Sequence, residues 1–311
     1  MKKIIYLLII IMICMILLSL ECLRTIKMNV FDYNEKEAGA KLLETIDITK
    51  QIEYDTNRTK YIKMEKNGNN LFFLNGKDIY VTDLQNTTKY SLDYQKITGE
   101  KDMLSNGISI VDDNIFILLY KIYEFDVLRH IFLNKRIIIK CNKEFSLFTT
   151  YMEDISSDLI FYDLSYYKSA NSFITYSRKI KSFSGGLDYN LKTFKELKLN
   201  EINQKNNFVD RSNDYTIPFS ELYSISIKDD IYLYSKSSLY KGFVCTKVII
   251  INLNNSSENI SDDDYKEIIL DFLLIKPNVI YDILWDNEFI WILLQNKDDV
   301  NKVDLVKLKP L

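Results

Sequence analysis

Histidine is almost missing from this 311-residue chain, with His130 as its single copy. That excludes any metal site built from several histidines. Cysteine is sparse: Cys14, Cys22, Cys141 and Cys245. No pair is spaced C-x-x-C, so zinc-ribbon and thioredoxin-like chemistry find no support. Only Cys141 and Cys245 lie beyond the first 22 residues. Both fall in strand-like stretches far apart, so two buried thiols are expected, with an exported disulfide as the alternative. Eight Gly and three Pro are few, which leaves Asn, Asp and Lys to make most turns. The G-x-S-x-G elbow, the phosphate loop and the dinucleotide fingerprint are all absent. No cofactor is implied. An excess of positive charge is lacking as well. Lys2, Lys3, Arg24 and Glu21 leave the first 24 residues at +2, so the rest of this −3 chain carries about −5. A mildly acidic domain of this kind is no partner for nucleic acid.

What is present begins at the N-terminus. Ile4 to Leu20 is an apolar run of 17 residues without a charge, preceded by Lys2 and Lys3. A basic start followed by such a run reads as a secretory signal or signal-anchor. At 1.5 Å per residue it reaches about 25 Å, close to a hydrocarbon core of roughly 30 Å. The positive-inside bias keeps the two lysines in the cytoplasm and exports the remainder. Leu18-Ser-Leu-Glu-Cys22 resembles a bacterial lipoprotein box, which would make Cys22 a lipidation site, although Glu21 departs from the small residue that box prefers. The expected organisation is a signal-anchor or lipoprotein signal at 1–22, a linker at 23–43 and one domain at 44–311. The expected location is the bacterial cell envelope, with the domain on the extracytoplasmic side and the membrane engaged through residues 4–20.

The domain repeats a phrase. Leu222-Tyr-Ser-Ile-Ser-Ile-Lys-Asp-Asp-Ile-Tyr-Leu-Tyr-Ser235 is an alternating strand, an acidic turn and a second strand. The phrase recurs at Gly107–Leu118 and Ile280–Leu293, and more loosely at Tyr61–Leu74. Self-similarity over tens of residues marks a repeat architecture. In the clearest copy two more strands follow, Lys247–Leu253 and Tyr265–Phe272, giving four antiparallel strands in about 50 residues, the size of one propeller blade. Units at 60–97, 107–152 and 153–199 fit the same frame. This pattern resembles the degenerate repeats of bacterial lactonase-like and quinoprotein-like β-propellers. The resemblance implies an all-β propeller of five or six four-stranded blades. The last unit has only three strands, ending at Lys302–Lys309, while an alternating segment at Glu44–Tyr54 precedes the first. That spare segment is expected to complete the last blade and close the ring.

No catalytic set stands out. The acidic pairs Asp112-Asp113 and Asp229-Asp230, with Asp286-Asn287-Glu288, occupy hairpin turns, where Asp and Asn tolerate the backbone angles required. They are expected to lie apart around the rim, with no metal site. His130, beside Arg129, could bind an anion. The aromatic and polar stretch Ser165–Tyr176 offers Tyr166 and Tyr167 as contact residues, since tyrosine gives large area at low entropy cost. Inner-strand positions of the second, fourth and fifth units read mainly Ile, Ser and Leu, with Asp282 the exception. The sequence therefore points to a non-catalytic binding or scaffold module whose partner is an envelope protein, a peptide or a glycan. A propeller-type hydrolase, lactonase or lyase is the alternative.

Overall fold

The computed structural model describes residues 31–56, 62–126, 131–156, 159–167, 172–179, 190–198, 212–213, 222–228, 231–240, 243–252, 265–275, 277–296 and 298–311. Nearly all of this is strand. Five four-stranded antiparallel sheets account for twenty strands. The first holds β2 (Ile62–Asn67), β3 (Asn70–Asn75), β4 (Asp78–Thr82) and β5 (Thr87–Ser91). The second holds β6 (Leu104–Val111), β7 (Asn114–Asp126), β8 (Ile131–Asn142) and β9 (Phe148–Ser156). β10 (Leu159–Tyr167), β11 (Ser172–Lys179), β12 (Asn190–Lys198) and β13 (Ser212–Asn213) make the third. β14 (Leu222–Lys228), β15 (Ile231–Tyr240), β16 (Phe243–Asn252) and β17 (Tyr265–Ile269) make the fourth. The fifth joins β18 (Pro277–Asp286), β19 (Phe289–Asn296) and β20 (Val303–Pro310) to the N-terminal β1 (Ala40–Asp47).

The leading strands β2, β6, β10, β14 and β18 neighbour one another in cyclic order, with β18 returning to β2. This is a β-propeller-like arrangement, in which the leading strands line a central channel. The middle strands of the second and fifth sheets carry the longest buried apolar runs. Ile115 to Leu119 and Ile290 to Leu294 are buried at every position. Three apolar wedges lie between sheets. One packs Phe72 and Ile79 against Ile115 and Ile137, between the first and second sheets. Another packs Ile62 and Met64 against Leu284, Trp291 and Leu305, between the fifth and first. The third packs Leu233 and Val248 against Ile283 and Ile292, between the fourth and fifth.

The hairpin phrase is built as its residues suggest. Two-residue loops join β2 to β3, β6 to β7 and β18 to β19, with Gly68, Asp112 and Asn287 at positive φ of 60, 53 and 56°. Two-residue hairpin loops need such angles, and Gly, Asp and Asn supply them. The third unit runs past the bounds expected of it, since the fourth strand of its sheet, Ser212–Asn213, lies beyond residue 199.

Ring closure uses a segment shifted from the one the alternation suggested. β1 runs antiparallel to β20 from Ala40↔Pro310 to Asp47↔Asp304, with a bulge between Leu42 and Glu44. The strand stops at Asp47 because its carboxylate accepts the Thr49 amide at 3.0 Å and turns the chain. Ile48 and Ile52 follow at helical spacing, and the Ile52 amide bonds the Ile48 carbonyl. Both are fully buried in the wedge between the fifth and first sheets. Upstream, α1 (Glu35–Ala38) starts on Asn34, whose side chain accepts the Glu37 amide, and ends on Gly39 in the left-handed region. The Asn34 amide donates to the Phe272 carbonyl at 2.8 Å, and Phe31 meets the Phe272 ring edge-on. The N-terminal segment thus straps the fourth sheet to the fifth before it enters the fifth as a strand.

The apolar run at 4–20 and Cys22 lie outside the described residues. Among the described residues no helix is long and apolar enough to cross a membrane. Cys141 and Cys245 are both buried, and among the described residues neither is in a disulfide.

Candidate functional site

β2 carries an unexpected pattern. Its Ile62 and Met64 enter the wedge toward the fifth sheet, so Lys63 and Glu65 project the other way. Both are nonetheless buried, at 6 % and 7 % exposure. Charged side chains are seldom buried to this degree unless they are paired. Next to β2 in the ring stands β18, whose ladder slips between Ile280 and Asp282. A bulge of this kind re-aims a side chain. Asp282, 3 % exposed, reaches across to β2. Its Oδ2 accepts the Met64 amide at 2.7 Å and its Oδ1 accepts the Ile283 amide at 3.0 Å. Oδ1 also lies 3.5 Å from Lys63 Nζ. The Glu65 Oε1 accepts the Lys66 amide at 2.9 Å.

Three charged groups thus gather where the fifth sheet meets the first. Further around the ring, Asn106 and Ser109 on β6 and Ser165 on β10 are also buried. The ladders of β6, β10, β14 and β18 all slip, at Ser105/Gly107, Tyr162/Ser165, Leu222/Ser224 and Ile280/Asp282. Bulged strands beside functional sites are a common device for placing polar side chains. Tyr281, which precedes Asp282, is fixed in turn. Its hydroxyl lies 2.7 Å from that of Tyr54, and Gln295 Nε2 donates to Tyr54 Oη at 2.7 Å. Burial, then the Tyr54 hydrogen bond, hold the Tyr281 hydroxyl above its ordinary pKa.

Two of the acidic turns, at Asp112 and at Asp286, each meet the β2–β3 hairpin of the first sheet. Lys66 Nζ meets Asp286 Oδ2 at 2.7 Å, which ties the first sheet to the fifth. Trp291 Nε1 donates to the same carboxylate oxygen at 3.4 Å. Asn67 Nδ2 donates to the Asp112 carbonyl at 3.4 Å, which ties the first sheet to the second. Among the described residues no group of three or more metal-ligating side chains gathers there.

Of the site residues suggested by sequence, Tyr166 is placed within reach of the Asp112 charge. It is half-buried at the end of β10, and burial, then the Asp112 charge, raise its hydroxyl pKa. Tyr167 closes the same strand, with its side chain outside the described residues. Arg129, His130 and Cys22 lie outside them too, as do Asp229 and Asp230. Lys63 and Glu65 were missed. Their signal was present in the loosest copy of the repeat, as charges alternating with Ile62 and Met64.

No family model matches the chain, and no curated protein matches it in sequence. Solved structures resemble it at low identity. A GH43 protein of Bacillus licheniformis, in a mutant form, is 10 % identical with a TM-score of 0.44, covering 81 % of this chain and 51 % of that one. The chain therefore spans about half the length of that relative. The native arabinanase of Bacillus subtilis is 10 % identical with a TM-score of 0.41, covering 81 % and 94 %. An α-L-arabinanase of Cellvibrio cellulosa, complexed with arabinohexaose, is 12 % identical with a TM-score of 0.41, covering 81 % and 92 %. Identities and scores this low assign no activity and no family. The expectation of a non-catalytic binding or scaffold module is nevertheless corrected, and with it the expectation that the protein is no enzyme. The finding set against it is that these neighbours are two arabinanases and a GH43 protein. The premise behind that expectation left out the first unit, where Glu65 stands buried on the innermost strand next to the one that carries Asp282.

Proposed function

We propose that this protein is a propeller-type hydrolase, with its reactive centre where the innermost strands of the first and fifth sheets meet. One observation carries the reading. Lys63, Glu65 and Asp282 are all buried charged residues on adjoining inner strands, beside an apolar wedge. Burying a charge costs several kcal/mol. A ring closed by apolar wedges needs none of the three for its packing, and such clusters in a concave site are the usual place for acid–base chemistry. In this reading Glu65 exchanges the proton, as general acid or base toward the scissile bond. Lys63 supplies positive charge for the oxygen on which negative charge develops. Asn106 and Ser165 line the wall that substrate groups meet. The blades number five, and β1 closes the ring. Residues 4–20 hold the protein in the envelope membrane with the propeller on the extracytoplasmic side, where a soluble or polymeric substrate reaches the channel.

The test is hydrolysis by the full chain in detergent of chromogenic glycosides, lactones and carboxylate esters. The expected result is turnover of one class, lowered about 100-fold or more by Glu65→Gln with unchanged melting. Turnover of none of the three classes, or a Glu65→Gln enzyme as active as the parent, overturns the proposal.

A further inference from the structure

We infer that Asp282 is a positioning residue that never exchanges a proton with substrate, and that it fixes Glu65 by holding the β2 backbone between Lys63 and Glu65. The inference rests on the hydrolase reading above and deepens it. Both Asp282 oxygens are engaged by backbone: Oδ2 by the Met64 amide at 2.7 Å, Oδ1 by the Ile283 amide at 3.0 Å. Met64 is the residue between Lys63 and Glu65, so one carboxylate sets the backbone from which both charged side chains spring. The same Oδ1 is 3.5 Å from the Lys63 ammonium. A carboxylate that accepts two amides and faces a cation has its oxygens committed to the fold, with few lone pairs left for a substrate proton. Its own location is over-determined. The bulge at Ile280/Asp282 aims it, the Tyr281 hydroxyl is fixed on Tyr54, and Ile283 and Leu284 are locked into wedges on opposite sides. β2 has no bulge of its own, since its ladder with β3 runs in register from Ile62↔Asn75 to Asn67↔Asn70. Its alignment across the seam between the first and last sheets depends on what reaches over from β18. The chemistry is thus divided between two carboxylates: one exchanges protons, and the other keeps the first in place.

Two readouts separate this from a reacting Asp282. On the substrate class that the chain turns over, Asp282→Asn keeps an oxygen for the Met64 amide and loses the charge facing Lys63. The expected result is a 10- to 100-fold fall in kcat with KM little changed, and a pH–rate profile that keeps the limb belonging to Glu65. Added formate should restore part of the activity of Glu65→Ala, because a small carboxylate can replace a reacting one, and should restore none to Asp282→Ala. Formate rescue of Asp282→Ala, or loss of the acid limb in Asp282→Asn, overturns the inference. The second readout needs no substrate. Hydrogen exchange at the Met64 amide of the full chain should quicken at least tenfold in Asp282→Ala and much less in Asp282→Asn. Equal Met64 protection in the parent and in Asp282→Ala overturns the positioning role even if no substrate is found.

Discussion

Gly39→Ala should be among the most destabilising single-methyl changes in this chain, and its cost can be assembled from two parts. Gly39 caps α1 at φ 74°, in the left-handed region. An alanine there costs about 1–2 kcal/mol in backbone strain. A Cβ at this position would also stand 2.6 Å from the Glu267 carbonyl oxygen. That oxygen belongs to β17, which is paired to β16 through Glu267↔Ile249 and cannot swing aside as a side chain would. Displacing packed structure by this much costs about 1–3 kcal/mol. The total is about 2–5 kcal/mol. With a urea m-value near 3 kcal/mol per molar, the midpoint should fall by roughly 1 M. Gly76→Ala is the matched control. Gly76 has φ 63°, but an added Cβ would meet nothing within 4 Å. It should cost only the backbone part, about 1–2 kcal/mol. Urea unfolding of the parent and the two variants, followed by tryptophan fluorescence, measures both. Midpoint losses equal within error would show that the strap does not press on β17, and the reasoning would fail.

Two other outcomes are expected. The Asp47 carboxyl is held below the usual carboxylate range by hydrogen bonds from the Thr49 hydroxyl and then its amide. Its stabilisation is therefore complete above the unfolded value, near pH 4, and is lost as pH falls through the folded value. Thr49→Val should flatten the acid limb of stability below about pH 4, and parallel acid limbs in urea titrations of the two proteins would count against this. The proposed anchor makes the propeller accessible from outside the cytoplasmic membrane, so protease added to spheroplasts should digest it. A protease-resistant soluble pool would refute that location.

Much of the fold was written in the sequence because a propeller repeats one local instruction. Asp112 and Asn287 take the left-handed angles that hairpin turns require, and the spare N-terminal strand does complete the last sheet. The register of that strand was not legible. Ile46, Ile48 and Ile52 continue an apolar rhythm past the point where Asp47 and Thr49 turn the chain. The candidate site was hidden for a related reason. Alternation of Lys63 and Glu65 with apolar neighbours looks like a strand with one wet face, but an innermost strand has no solvated face of that kind. Only the ring places Lys63 opposite Asp282, more than 200 positions away in the chain. The meeting of Asp286 and Asp112 with the β2–β3 hairpin is likewise a fact of topology that no short window contains.

The joining of the first strand to the last carries a demand on synthesis. Residues 40–47 leave the ribosome long before residues 304–310, their ladder partners, exist. At about 5–20 residues per second the wait is on the order of 10–50 s. During that time β1 is a strand without a sheet, the kind of segment that recruits the wrong partner. Its composition suits the delay. Of its eight residues only Ala40 is buried in the finished protein, and Lys41, Glu44 and Asp47 place charges along it. Charges spaced along a waiting strand act as gatekeepers against aggregation. The closing strand thus buries little of its own surface, and the apolar content that seals the seam sits just after it, in Ile48 and Ile52.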